Sequence, residues 1–305
     1  MPIGIDPKVD YAFKYVFGRE QNSDLLLDLL NAILDPPPDK RLEGLTILNP
    51  FLPGDGEDDK LVILDLLARD TVGRRYNIEM QLFQHRYLKE RFLYYWAKAH
   101  TDQLVSGEAF EELRPTISVL ILNEVMFKDL TGPHQRFRLW DETHHSRFSD
   151  QIDVHLLELP KFRESLNELD SPLDAWLYFL QHVAELELED WPEELSPPLH
   201  RAAKELEMLS LSEIERLKYE ARLNGKRDYD SALVGAKQDG IEIGIEQGIE
   251  RGLERGLLAG KIQTLQELNG LPVMSEAELH DCSLTLLISM LAELRAMHLN
   301  RGTLP

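Results

Sequence analysis

The chain has 305 residues, one cysteine and a formal net charge of −21; 43% of its residues are hydrophobic and 29% are charged. This length suits one large domain with an appendage or two modest domains, and the single cysteine excludes an internal disulfide framework and favours a cytoplasmic protein. We expect no signal peptide and no membrane span, since no apolar run approaches about 18 residues, and the acidic balance argues against broad non-specific binding of nucleic acid.

Two helices are predicted at the start of the chain. Residues 6–18 carry apolar side chains such as Phe13 at helical spacing, and Gly18 closes the segment. Residues 23–34 predict a second helix, which must end before Pro36. The chain therefore begins with a pair of amphipathic helices.

The next segments predict strands and one long helix. Residues 42–52 are strand-like, and residues 61–70 and 75–83 predict a β-hairpin around the sequence TVGRR. Residues 84–107 predict a helix that ends at Gly107, and residues 114–127 predict a buried strand. Two further strands are expected within residues 136–141 and 152–162, and mostly helical structure within 170–235.

Glycine recurs every fourth residue near the C-terminus, from Gly240 to Gly260, and Ile or Leu follows each of the first five glycines. On a helix these residues form two slowly drifting stripes, and each interior glycine costs about 0.8–1 kcal/mol relative to alanine. Either the segment is a solvated, partly frayed tail, or the glycine stripe packs against another helix and makes a homo-oligomer. A helical hairpin is expected after it, where Ser275 and Glu278 have capping-box spacing.

The predicted hairpin carries acids where a buried strand should be apolar. Strand alternation puts Asp65 on one face of the first strand and places Glu79 and Gln81 together on one face of the second. Carboxylates from paired strands come within several Å, where they repel each other unless a cation lies between them. Hard divalent ions such as Mg²⁺ prefer such oxygens. The alternative is that these acids simply face solvent.

A locally basic segment follows this hairpin. Residues 84–100 contain Arg86, Lys89, Arg91 and Lys98 against Glu90 alone. If the protein contacts phosphate groups, this segment is where we expect it to do so.

The sequences DPKVDYAFKYVFG, DLLARD, NIEMQ, ERFLYYWAKAHTDQLVSGE and LRPTISVLILN, in this order and spacing, resemble the Rpn family of recombination-promoting nucleases and putative transposases. That family lies within the PD-(D/E)XK nuclease superfamily, and the resemblance spans residues 6 to about 165. It implies an α/β fold with an αβββαβ core, followed by a helical C-terminal region that contains the glycine-periodic helix. We accordingly divide the chain into a nuclease-like domain (1–165), a helical region (166–235), the glycine-periodic tail (236–270) and a C-terminal helical hairpin (271–305).

The resemblance also implies roles for the acidic hairpin. Asp65, Glu79 and Gln81 fall on the superfamily's metal-binding motif, with the backbone carbonyl of Met80 as a further metal ligand. Gln81 stands where the superfamily usually has lysine, so an amide that can only form hydrogen bonds replaces an ammonium group. The implied activity is a DNA endonuclease dependent on Mg²⁺ (or Mn²⁺ or Ca²⁺) and linked to recombination or transposition.

The same resemblance gives a role to Asp10 and Lys14, and the local positive charge gives one to the cations that follow the hairpin. The superfamily often brings an acid from its first helix to the site, and Asp10, one helical turn before Lys14, fits that position; a surface ion pair is the alternative reading. Arg86, Lys89 and Arg91 would hold the DNA backbone.

The sequence is also compatible with two rival functions. The first is a catalytically silent scaffold that uses the nuclease fold and oligomerises through its tail, and the second is a glycosidase-like hydrolase that uses a carboxylate pair without metal. His134, His144, His145 and His155 lack zinc-site spacing, so structural roles are expected for them. No phosphate-binding glycine motif appears, so no nucleotide cofactor is expected.

Overall fold

The computed structural model describes residues 2–48, 51–52, 62–63, 66–82, 87–190, 192 and 195–301. Its described parts form two compact units, Met1–Gly225 and Lys226–Pro305. The division of the chain into four segments stays a prediction.

The architecture is mixed α/β with a helical C-terminal region. The helices are α1 Asp10–Phe17, α2 Ser23–Leu34, α3 Leu88–Thr101, α4 Pro172–His182, α5 Pro197–Leu211, α6 Glu213–Leu268, α7 Glu276–Asp281 and α8 Leu284–Arg301. The strands are β1 Leu45–Leu48, β2 Phe51–Leu52, β3 Val62–Ile63, β4 Leu66–Asp70, β5 Arg75–Gln81, β6 Thr116–Leu122, β7 His134–Arg138, β8 Trp140–Asp141, β9 Ser146–Arg147 and β10 Ile152–Glu158.

A six-stranded sheet organises the first unit, in the order β1-β4-β5-β6-β10-β7. The central strands β5, β6 and β10 are parallel, and β1, β4 and β7 pair antiparallel to their neighbours. The central strand β6 is buried along its whole length, as its continuous apolar sequence predicts. A mixed sheet of this kind is consistent with a PD-(D/E)XK fold.

Helices cover both faces of this sheet. The main core joins one face to α1, α2, α4 and α5, with Phe13, Phe17 and Trp176 fully buried among the strand residues Ile78 and Met80. On the other face, Leu88 and Phe92 of α3 pack against Leu120, Leu122 and Leu156. The α3 face and the main-core face are therefore distinct environments for strand side chains.

Element boundaries depart from the sequence expectations at a few places. Helix α2 spans Ser23–Leu34 as predicted, whereas α1 begins at Asp10 rather than residue 6. The helix predicted over 84–107 is present, but its predicted end is wrong, because α3 spans Leu88–Thr101 and ends before Gly107; residues 84–86 lie outside the described residues. Arg75 of β5 explains this end: its Nη1 donates to the Ala99 carbonyl at 2.9 Å and its Nη2 to the Asp102 carbonyl at 3.2 Å. A cation from another element thus takes the last carbonyls of the helix.

The second unit has its own small core. The C-terminal part of α6 packs with α7 and α8 around Ile262, Leu279, Leu287, Leu291 and Leu294. The capping box is confirmed, since Ser275 accepts from the Glu278 amide while the Glu278 side chain accepts from the Ser275 amide. No helix in the described part of the chain is long and apolar enough to cross a membrane.

Candidate active site

Strand β5 places Glu79 and Gln81 on one face of the sheet, as the period-two pattern predicts. Tyr76, Ile78 and Met80 alternate with them and point into the main core. Glu79 is only 2% exposed, and its register partner in β6 is Leu120, which packs with α3. A carboxylate is therefore buried on the α3 face, where a charge needs compensating partners.

A row of buried polar side chains runs along the same face toward Glu79. Asn77 and Ser118 are register partners in β5 and β6, and both are 0% exposed. Among the residues that the structure describes, neither the Asn77 amide nor the Ser118 hydroxyl has a hydrogen-bond partner. Buried polar atoms of this kind usually bind ordered water or a bound group. The interior beside Glu79 is thus suited to hold polar species.

The beginning of this row is internally satisfied. The Thr116 hydroxyl lies 3.0 Å from Nδ1 of His100 and accepts from the Gln103 amide at 3.1 Å. Burial, followed by the charge of Arg75, lowers the pKa of His100. The polar groups of this row without a described hydrogen-bond partner are therefore those of Asn77 and Ser118, which lie further along the strands toward Glu79.

The donor atoms at this place suit a hard divalent cation. A carboxylate from Glu79, the Met80 carbonyl and the Gln81 amide are all oxygen donors, which Mg²⁺ prefers. Within the described ranges, no group of three or more His, Cys, Asp or Glu residues could hold a metal ion. The second carboxylate of the predicted site, Asp65, lies outside the described residues. The oxygen donors present fit a divalent cation, and a second carboxylate for the site would have to come from Asp65.

Asp10 and Lys14 lie on α1, the first helix of the main core. Asp10 is the first residue of the helix, Lys14 lies in its last turn, and both side chains are half-buried. Helix α1 contacts β5, and Phe13 and Phe17 lie in the main core together with Ile78 and Met80 of that strand. Helix α1 therefore lies on the main-core face of β5, whereas Glu79 points to the opposite, α3 face, and the roles of Asp10 and Lys14 stay predictions.

The first turn of α3 carries two of the three predicted DNA-binding cations. Lys89 is exposed, with its Nζ 4.2 Å from the centre of the Phe127 ring, and Arg91 lies 6.0 Å from the centre of the Tyr95 ring. Free backbone amides at a helix N-terminus also attract anions. Arg86, the third, lies outside the described residues.

Glu158 is an organising residue that the sequence reasoning missed. Its carboxylate is fully buried and accepts from the Met126 and Phe127 amides at 2.5 and 2.9 Å and from Lys161 Nζ at 2.5 Å. These bonds fix the loop that presents Phe127 to Lys89. The spacing Glu158–Lys161 just after a strand is a weak signal, and the loop it holds is about 30 residues away.

The histidines form local contacts. His134 Nε2 lies 2.9 Å from His155 Nδ1 with their rings stacked, and His144 bonds to Asp141 within a turn. Burial lowers the pKa of His155 to about 3, so it is neutral at physiological pH. These two pairs fit the expected structural roles.

Comparisons with known proteins give one finding. A family model described as PD-(D/E)XK nuclease family transposase matches residues 7–236. No curated protein and no solved structure matches the chain. The family match covers well over half of the sequence and includes the whole sheet, β5 with Glu79 and Gln81, and both helices that flank that strand. The chain therefore belongs to the PD-(D/E)XK nuclease family transposases.

Proposed function

We propose that the protein is a divalent-metal-dependent DNA endonuclease that acts in recombination- or transposition-like reactions. The observation that carries this proposal is the Glu79 carboxylate, 2% exposed on β5 and two residues before Gln81 on the same face, in a chain of a nuclease family. A buried acid with unsatisfied polar neighbours is a characteristic of a functional site.

Strand alternation in the sequence supports the partner assigned to Glu79. In the antiparallel pair β4–β5, Leu67 lies opposite Asn77 and Leu66 opposite Ile78. That Asp65 comes opposite or diagonal to Glu79 is an expectation from the sequence alone, since Asp65 lies outside the described residues. Two carboxylates that close favour a bound cation, since they repel each other without one.

Each residue then has a defined task. Asp65, Glu79 and the Met80 carbonyl would hold Mg²⁺, Mn²⁺ or Ca²⁺, and a bound catalytic ion supplies Lewis-acid stabilisation of charge and acidification of water. Gln81 orients the attacking water through its amide, which forms hydrogen bonds but carries no charge. The water oxygen would form a new bond to phosphorus as the bond from phosphorus to the leaving oxygen breaks; the water gives up a proton to solvent, and the leaving oxygen takes one up.

Cations at the start of α3 would position the DNA. Lys89 and Arg91 lie in the first turn of the helix, whose first residue, Leu88, packs on the α3 face that also carries Glu79. Together with Arg86 they would bind backbone phosphates, which fixes the position of the substrate without reading its sequence.

The tail is proposed to join copies of the chain. The aliphatic stripe on α6 is exposed, with Ile249 at 68% and Leu253 at 66%, and a Cβ placed on Gly248 would meet no described atom within 4 Å. A helix with an exposed apolar stripe and unfavourable glycines gains stability only against another surface. A second copy of α6 would supply it and bring two nuclease sites into one particle.

A catalytically silent scaffold is the second candidate. The net charge of −21 disfavours DNA binding, and Gln81 lacks the ammonium charge of the usual lysine. In that case the fold would serve as a platform and the tail as its assembly element.

A nicking assay separates the two candidates. Supercoiled plasmid is incubated with the protein in Mg²⁺, Mn²⁺, Ca²⁺ or EDTA, using wild type, Asp65→Ala, Glu79→Gln and the exposed control Glu111→Gln. We expect metal-dependent nicking that falls at least a hundredfold in both site variants and is unchanged in the control. Absence of nicking with every ion would favour the scaffold, whereas full activity in both site variants would contradict the proposed roles of Asp65 and Glu79.

A metal-dependent melting shift provides an independent reading. Mg²⁺ at millimolar concentration should raise the melting temperature of wild type by mass action, and Glu79→Gln should abolish that shift. A folded Glu79→Gln protein that still shows the full shift would place the metal elsewhere.

A further inference from the structure

A cavity of about 420 Å³ opens at the end of the sheet where β5, β6 and β10 begin. Tyr76, Ile117 and Asp153 line it from these three strands, and residues of the α2–β1 connection close its other side. Tyr76 points to the main-core face and Glu79 to the α3 face of the same strand. The cavity is therefore separate from the candidate active site.

Positive charge is concentrated in this cavity although the chain is acidic. Three carboxylates line it, from Asp35, Asp150 and Asp153. The lining cations outnumber them; they are Lys40, Arg74, Arg136, Arg138 and Arg147. In a protein with a net charge of −21, such a local excess of cations requires an explanation.

Buried carboxylates hold three of the guanidinium groups in place. Asp153 accepts from Arg136 Nε at 2.9 Å, from Arg136 Nη2 at 2.5 Å and from Arg138 Nε at 3.2 Å. Asp70, behind the cavity wall, accepts from Arg74 Nε at 2.6 Å and from the Tyr76 hydroxyl at 3.0 Å. Both carboxylates are more than nine-tenths buried. The arginine forks are thus fixed before any ligand arrives, which lowers the entropy lost on binding.

The terminal nitrogens of these forks remain largely unused. Arg74 and Arg138 each use only Nε in side-chain bonds to the described residues, and Arg147 donates from Nε to the Ser149 carbonyl at 3.1 Å. An arginine has five N–H donors, so each of these three side chains keeps two Nη groups for an anion.

We propose that this cavity binds a phosphate group, either of a polynucleotide or of a free phosphorylated small molecule. Several arginine forks facing one space match the charge and the acceptor geometry of phosphate. The volume is that of a small-molecule site, and Trp140, register partner of Arg147, is 51% exposed and offers a stacking surface to an attached base. The proposal does not depend on the endonuclease assignment.

Calorimetric titration of the full chain in EDTA tests it. The probes are inorganic pyrophosphate, a 5′-phosphorylated single-stranded oligonucleotide and the same oligonucleotide without the 5′-phosphate, at low and high salt. The variants are Arg138→Gln and Arg147→Gln; the matched control is Arg69→Gln, an exposed arginine on β4 that does not line the cavity.

We expect saturable binding of at least one probe, weakened at least tenfold by either cavity variant and by salt, and unchanged in the control. Binding of pyrophosphate and of the 5′-phosphorylated oligonucleotide, but not of the oligonucleotide without a 5′-phosphate, identifies a terminal or free phosphate as the ligand. Equal binding of both oligonucleotides identifies the polynucleotide backbone as the ligand. Arg147→Gln guards against misfolding, since Arg147 is exposed and its side chain bonds only one carbonyl among the described residues. The proposal would be overturned if no probe bound saturably, or if Arg69→Gln weakened binding as much as the cavity variants do. The arginines would then serve only in ion pairs within the protein.

Discussion

At the scale of single residues, close packing around Gly18 makes the stability of the fold sensitive to one added methyl group. Gly18 ends α1 beside β4, the strand that leads from the predicted metal ligand Asp65. A Cβ on Gly18 would lie 2.6 Å from Leu66 Cδ2 and 2.7 Å from the Lys14 carbonyl oxygen. Both separations are far below van der Waals contact, and one involves backbone that cannot easily move.

Gly18→Ala should therefore destabilise the protein by about 1–3 kcal/mol, as overpacking of a core does. Urea unfolding followed by circular dichroism measures this free energy. Gly44→Ala is the control, because its Cβ would meet Thr71 Cγ2 at an ordinary 3.4 Å. Equal midpoints for both variants would show that α1 shifts freely away from β4.

Burial of His155 predicts a dependence of stability on pH. The pKa of this histidine is lowered to about 3, chiefly by desolvation; the charge of Asp153 opposes this shift, and the charges of His134 and Arg136 add to it. In the unfolded chain the pKa of histidine is about 6.5, so between these values the unfolded state binds more protons. The free energy of unfolding must then fall as the pH falls from about 6.5, by at most about 1.4 kcal/mol per pH unit from this group.

Thermal melts at pH 7, 6 and 5 check this slope. His155→Gln should flatten it, whereas His145→Asn, at an exposed residue with φ of 50° that asparagine tolerates, should leave it unchanged. The same slope in wild type and His155→Gln would assign the effect to other groups.

At the scale of elements, side chains from distant segments set where helices end. Arg75 donates to two carbonyl groups at the end of α3. This contact joins the strand that bears Glu79 to the helix that bears Lys89 and Arg91, so it also fixes the two proposed functional surfaces relative to each other.

Arg75→Gln should cost about 1–2 kcal/mol of unfolding free energy, because it removes charged donors from the helix C-terminus. Its matched control is Arg69→Gln, since Arg69 lies directly opposite Arg75 in the β4–β5 register and is exposed. Denaturant midpoints of the two variants are compared with wild type. Equal losses of unfolding free energy in the two variants would mean that the Arg75 hydrogen bonds to the end of α3 contribute nothing beyond the loss of one positive charge.

At the scale of the whole molecule, the exposed stripe of α6 is the feature that a lone chain leaves unexplained. Ile241, Ile245, Ile249, Leu253 and Leu257 are each more than half exposed. Glutamates at 242, 246, 250 and 254 flank this stripe, so the exposed surface of the segment is both acidic and apolar.

Ile249→Glu should lower the mass per particle, because it places a carboxylate in the proposed interface between copies. Gln247→Glu adds the same charge at another exposed position of α6 and should leave the mass unchanged. Light scattering at tens of micromolar protein provides the measurement. A wild type that is monomeric under these conditions would show that the stripe does not join copies of the chain.

Local sequence signals determined several features of this protein. Apolar spacing set the bounds of α2, the capping-box pattern placed the Ser275–Glu278 cap, and strand alternation put Glu79 and Gln81 on one face. Each depends on residues a few positions apart, where helical and strand geometry alone dictates which side chains are neighbours. Other features were decided only by the tertiary structure: the end of α3 under Arg75, the loop held by Glu158, and the arginine cavity drawn from α2–β1, β5, β7 and β9. These join groups that are far apart in the chain, and their meeting depends on sheet order and register, which no local periodicity encodes.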